Sequence, residues 1–205
     1  MGVQRPRPVV RIRPVRFLAS LAIAGLLGAT SGSASSASGP LHNVMLDGQP
    51  NFAVIWSLAH PGQSDAMTAF VVNDGPGSVT LVSASLIPIS GHPAGRLIHL
   101  AISRDGAAGA RGWPPPGTPI TPFTGAQIPV GQSNIIFGVE GPVAGRAYLT
   151  AGLNVVYRYW GRLYTTTAWS ASTDCVENVF TNTEDTRCDD LSEIARHATE
   201  KLAGL

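Results

Sequence analysis

The sequence predicts a mainly β protein, an antiparallel sandwich of about seven strands with one short C-terminal α-helix. Three observations predict it. From Leu41 to about Trp169 the apolar stretches are short, rich in Val, Ile, Thr, Tyr and Phe, and bounded by Gly and Pro. No stretch in that span sustains the three-and-four spacing of a helix. Only the last residues, "DDLSEIARHATEKL", change to a helical period.

The N-terminus reads as a leader. Five Arg (5, 7, 11, 13 and 16) precede the uncharged run "FLASLAIAGLLGA", and "TSGSASSASGP" follows with small residues. This is the charged, apolar and small-residue order of a secretory signal, with a Gly32-x-Ala34 cleavage site. The apolar run of 13 residues falls short of the roughly 20 that cross a bilayer, so an uncleaved anchor is the lesser alternative. Cleavage after Ala34 leaves nine of the fourteen basic residues and all thirteen acidic ones, a net charge of −4. A mildly acidic chain lacks the clustered basic patch that nucleic acid requires, so no nucleic-acid partner is expected. After cleavage no membrane contact is expected either. The excess of Arg over Lys fits a GC-rich bacterial genome.

The expected organisation is a signal peptide over 1–34, a linker and first extended segment over 35–50, the sandwich over 51–171, and a disulfide-closed acidic loop with an amphipathic helix over 172–205. Strands are expected at 52–60, 66–72, 78–88, 96–103, 134–140, 147–159 and 163–171. Two hairpins anchor the pattern. In "MTAFVVNDGPGSVTLVSASL" alternating residues flank Asn73 to Gly77, whose turn chemistry reads as a bend between strands and not as an active loop. In "YLTAGLNVVYRYWGRLYTTTAW" Gly161 marks the turn between two strands of aromatic and β-branched residues. Between them, 104–129 is a Pro/Gly-rich insertion in which Pro114, Pro115 and Pro116 favour an extended arm.

After Trp169 the pattern changes. Cys175 and Cys188 are the only cysteines. In an exported chain the simplest reading is one disulfide, closing a loop of 13 residues and stabilising the fold by about 3 kcal/mol from loop-closure entropy. In the helix, Asp190 and Glu193 have capping-box spacing, and Leu191, Ile194, Ala195, Ala198 and Leu202 form the stripe expected to dock.

No constellation for catalysis is visible, and no enzyme activity is expected. There is no Gly-x-Ser-x-Gly elbow, and Ser64 and Ser133 sit in turns with no nearby His. The five histidines are scattered, with no ligand spacing. The acidic loop offers Glu184, Asp185 and Asp189 as calcium candidates, but its spacing does not match an EF-hand, so no metal or other cofactor is expected. Of the four Trp, Trp56 and Trp169 alternate within strands as core residues do, while Trp113 and Trp160 flank loops. Trp113, Trp160 and Arg162 are therefore the candidate binding residues, carried on the Pro-rich arm and the Gly161 hairpin tip. On that reading, Trp113→Ala leaves the melting temperature nearly unchanged.

A resemblance accompanies these residues. A Pro/Gly turn, a strand ending in Asn73-Asp74-Gly75, a second turn at Gly131 and then "AGRAYLTAGLNVVYRYWG" resemble the layout of bacterial extracellular Ig-like modules of the adhesion and cell-envelope accessory type, over roughly residues 50–170. The resemblance implies an Ig-like sandwich, no catalytic residues, and an exported module contacting a protein or glycan of the envelope. A secreted copper or calcium carrier is the alternative, and a secreted hydrolase stands further behind.

Overall fold

The computed structural model describes residues 39–44, 51–57, 64–104, 112–140, 147–176 and 185–205; for 51–57, 176 and 185–188 the description stops at the backbone. The expected leader, the Gly-rich start of the insertion and Glu184 lie outside these residues.

Ten strands and one helix are described: β1 Leu41–Asn43, β2 Asn51–Ser57, β3 Ser64–Asn73, β4 Val79–Pro88, β5 Leu97–Ser103, β6 Thr121–Pro122, β7 Gln127–Ile128, β8 Gly131–Glu140, β9 Ala147–Tyr159, β10 Arg162–Val176 and α1 Asp185–Ala203. The longer strands fall on the expected ranges, because period-2 alternation marks a strand with one face inward. β6 and β7 are additions of two residues each, and β1, three residues long, lies within the extended segment expected over 35–50; all three are too short to show a period.

The strands form two five-stranded sheets, ordered β1-β3-β8-β5-β6 and β2-β10-β9-β4-β7. One core lies between them. Met67, Ala69 and Val71 of β3 and Ile135, Phe137 and Val139 of β8 meet Val79 and Leu81 of β4 and Leu153, Val155 and Tyr157 of β9. All are nearly or fully buried. The pairing is antiparallel except at one place, where Asn51 to Ser57 run parallel to Ser170 to Val176.

That parallel pair corrects the expected end of the last strand. β10 does not stop near Ala171. It shifts register between Trp169 and Ser172, then continues to Val176 with β2 on one side and the start of β9 on the other. Ser170 to Cys175 are buried on both faces because α1 covers the side turned away from the core, so the alternation that marks a strand disappears from the sequence there. Gly152 enables the irregularity. At φ 134°, a Cβ placed on it would stand 2.2 Å from the Ala168 carbonyl oxygen. Thr150 completes the join, its hydroxyl donating to the Ile87 carbonyl at 3.0 Å.

The helix also differs from expectation. It opens at Asp185, so Cys188, Asp189 and Asp190 lie within its first turns and Asp190 is not the N-cap. Acidic residues at that end complement the helix dipole. Ser192, Ala195 and Thr199 are the buried positions, with Leu191 and Ala198 beside them, whereas Ile194 (43% exposed) and Leu202 (52%) face outward. Small side chains three and four apart bring the helix backbone close to the sheet, leaving the bulkier pair outside. The Thr199 hydroxyl is satisfied by the Ala195 carbonyl at 2.7 Å. Cys175 is fully buried and is not a free thiol. The side chain of Cys188 lies outside the description.

Candidate binding surface at one end of the two sheets

Register places three connections at the same end of the molecule. Thr80 pairs with Arg158, Val79 with Ile128, and Asn73 with Gly131. The β3–β4 loop, the β7–β8 turn and the β9–β10 hairpin tip are therefore neighbours.

Asn73 organises the first of these. Fully buried, its side-chain amide donates to the carbonyls of Gly77 (2.9 Å) and Ile128 (3.1 Å), and its Oδ1 accepts from the Gly75 amide at 3.1 Å. One side chain thus replaces the backbone pairing that two adjacent turns lack. The loop is held as a bend, and its outward residues are presented on a fixed frame.

The hairpin tip is a two-residue turn with φ 44° at Trp160 and 77° at Gly161. Positive φ at both positions defines a type I′ turn, which matches strand twist and favours Asn-Gly or Gly-Gly. Trp is costly there. A non-glycine residue in the left-handed region costs on the order of 1–3 kcal/mol. Against that cost, the indole stacks on Tyr159 with centroids 4.7 Å apart and planes 16° apart. Such a pair is worth about 0.5–1.5 kcal/mol. The stack offsets only about half of that cost, so stability does not explain the choice of residue. Trp160 is nevertheless 78% exposed, with one face on Tyr159 and the other open. Tyr159 itself is only 7% exposed, and its hydroxyl is buried without a hydrogen-bond partner among the described residues.

Other side chains surround this tip. Val130 is 60% exposed on the β7–β8 turn. His42 Nδ1 stands 3.7 Å from Asp74 Oδ2. Gln127, Thr80, Arg158 and Leu163 are successive cross-strand partners, so they lie in a row on the outer face of the second sheet. Gln127 Nε2 donates to the Thr80 hydroxyl at 2.8 Å. At the Gln127 end of the row a cleft of about 350 Å³ is lined by Ile102, Ser103, Arg104, Pro119, Thr121 and Gln127. A second cleft, about 460 Å³, lies at the far end of β9 beside α1 and is lined by His92, Pro93, Ala147, Leu149 and Leu191.

The sequence-predicted residues divide accordingly. Trp160 and Arg162 come together at the tip, where Arg162 is the cross-strand partner of Tyr159. Trp113 does not join them. It lies half-buried over the outer face of the first sheet, stacked on His99 (centroids 4.8 Å, planes 11° apart) and packed against Ala66 and Ile136. The Gly112 amide donates to Asp65 Oδ1 at 3.3 Å just before it. Three later residues of the insertion also turn inward: Phe123, Ala126 and Ile128 join the main core. Asp185 and Asp189 stand one turn apart on α1, and no group of three potential metal ligands occurs among the described residues. Sequence reasoning missed Arg104, Arg158 and Val130, since nothing local in a sequence says which turns share an end. No protein-family model and no curated protein matches the chain.

Proposed function

We propose that the chain is an exported, non-catalytic module of the cell envelope or extracellular space, built on an Ig-like sandwich and contacting a protein or glycan through its loop end. Strand order supports the Ig-like reading. With β1, β3, β4, β5, β8, β9 and β10 taken as strands A to G, the sheets run A-B-E-D and G-F-C, the immunoglobulin order, with β2 added at the edge of G. On that correspondence the β3–β4 and β9–β10 connections are the B–C and F–G loops, which share the recognition end of such domains.

The observation that carries the reading is Trp160, a large exposed aromatic at a turn position whose backbone favours Gly or Asn. Departures from local rules gather where function demands them. Export is supported by the composition of residues 1–34, and an oxidised Cys175–Cys188 pair belongs with it.

Fractionation of producing cells, followed by mass measurement and pull-down from envelope extracts, tests the proposal. A chain beginning at Ser35, found outside the cytosol and retaining an envelope component, is the expected result. An unprocessed chain among soluble cytosolic contents, or an exported chain that retains neither protein nor glycan, overturns it.

A further inference from the structure

We propose that the chain pairs with a second copy of itself through β2, whose outer edge joins the same strand of the other copy antiparallel across a two-fold axis and makes one sheet twice as wide. The inference goes beyond the binding-module reading and needs no ligand.

The edges of the two sheets are unequal. Among the described residues each sheet ends in two strands with a neighbour on one side only, β1 and β6 in the first sheet and β2 and β7 in the second. Three of these four are two or three residues long. Very short edges keep sheets from joining one another, because they offer few unpaired amides and carbonyls. β2 departs from that rule. Its seven residues run beside Ser170 to Val176 without a register shift, so its outer edge carries a regular row of backbone donors and acceptors. Charge and proline are the other common guards of an edge, and Asn-Phe-Ala-Val-Ile-Trp-Ser contains neither. Phe, Val, Ile and Trp also favour extended backbone. An edge left open at this length is a template for another strand.

The order of residues in β2 selects the strand that fits it. An antiparallel pair centred on Val54 sets position 52 of one copy opposite 56 of the other, 53 opposite 55, and 51 opposite 57. Phe52 then matches Trp56, Ala53 matches Ile55, and Asn51 matches Ser57: aromatic with aromatic, small with large, polar with polar. Cross-strand pairs of this kind stabilise a sheet, and none here sets like charges together. Each match occurs twice about the axis, as an isologous interface requires. Over seven residues such a pair forms roughly six to eight backbone hydrogen bonds.

Topology limits the association to two copies. Once β2 is paired, the joined sheet ends on either side in the two-residue β7, which leaves no long edge for further growth. A fibre would need a second long edge, and none occurs among the described residues. An extended segment of a foreign partner would fit the same backbone row but has no need of the match about Val54.

The test uses the exported, oxidised protein without added ligand. Sedimentation equilibrium should give the mass of two chains at about 200 μM and fall towards one chain at about 1 μM, the weak range suited to an interface of one strand pair. Val54→Cys, at the axis, should link two copies on oxidation, because directly opposed Cα atoms in an antiparallel pair lie about 4.5–5.5 Å apart. Thr165→Cys, exposed on the β9–β10 hairpin, should not. Ala53→Lys and Val54→Lys occupy opposite faces of the strand, so if one disturbs the fold the other still reports. Whichever keeps native circular dichroism should weaken the dimer at least ten-fold. A single-chain mass at 200 μM, or a dimer that Val54→Cys fails to link, overturns the inference. A monomer that captures an envelope component also overturns it and leaves the module reading standing, whereas a linked dimer that captures nothing upholds it and ends the module reading.

Discussion

Trp113 and Trp160 look alike in the sequence, each beside a loop and near a Gly, yet their surroundings differ. Trp113 closes over Ala66 and Ile136 and stacks on His99, whose side chain and its own both approach Gly138. Any Cβ on Gly138 would meet His99 at 3.0 Å and Trp113 at 3.2 Å. Removing this indole uncovers the outer face of the first sheet. Trp113→Ala should therefore cost about 3 kcal/mol, near the lower end for aromatic truncation because the ring is only half-buried. Urea denaturation measures it directly, and a loss below about 0.5 kcal/mol would show that the arm does not pack as described. The opposite expectation, drawn from the place of Trp113 beside a loop on the Pro-rich arm, leaves this packing out, because polyproline geometry describes the backbone of the arm and not where its side chains come to rest.

Among the elements, β10 and α1 form a joint unit. The second half of β10 runs parallel to β2 and beneath the small-residue face of α1, and Cys175 is buried in that layer. A Cys175–Cys188 bond would tie the first turn of α1 to the sheet, a constraint the narrow Ser192–Ala195–Thr199 contact needs. Replacing Cys188 by Ser is expected to destabilise the protein by about 3 kcal/mol. The loss should be local: hydrogen exchange should quicken in α1 and in β10 beyond Ser170 while the β9–β10 hairpin near Trp160 keeps its protection. Uniform loss across both sheets, or no mass difference between reduced and non-reduced protein after thiol alkylation, would contradict this. Strand ranges were legible in the sequence wherever one face is apolar and the other wet, as in β4 and in the first half of β10. Legibility ended at Ser170 to Cys175, whose two covered faces remove the alternation, and at α1, where Ser192 and Thr199 are buried despite being polar.

For the whole molecule, stability should depend on pH through two exposed carboxylates. Hydrogen bonding from Arg96 holds Glu140 below its ordinary value of 4.5, and hydrogen bonding from Arg196 does the same for Glu193. A carboxylate whose folded pKa is depressed contributes stability that is complete above its unfolded value and is lost as pH falls through the folded one. The urea midpoint is therefore expected to hold from pH 7 to about 5 and to drop towards pH 3. Both pairs are solvent-screened, so their share is small. Arg96→Gln should reduce the drop, because it raises the Glu140 pKa towards its unfolded value. An identical midpoint difference in the two proteins would show that the pair does not contribute.

Local composition alone determined that this chain builds sheets, where most of its strands run, that its last residues form a helix, and that Trp160 with Arg162 sits on a hairpin tip. These depend on periodicity and turn chemistry within a dozen residues. The tertiary structure alone decided that Arg104, Gln127, Thr80 and Arg158 come to the same end of the sheets as that tip, and that Trp113 packs over the first sheet. Such proximity comes from cross-strand register and from two sheets meeting over one core, and no stretch of neighbouring residues encodes it by itself.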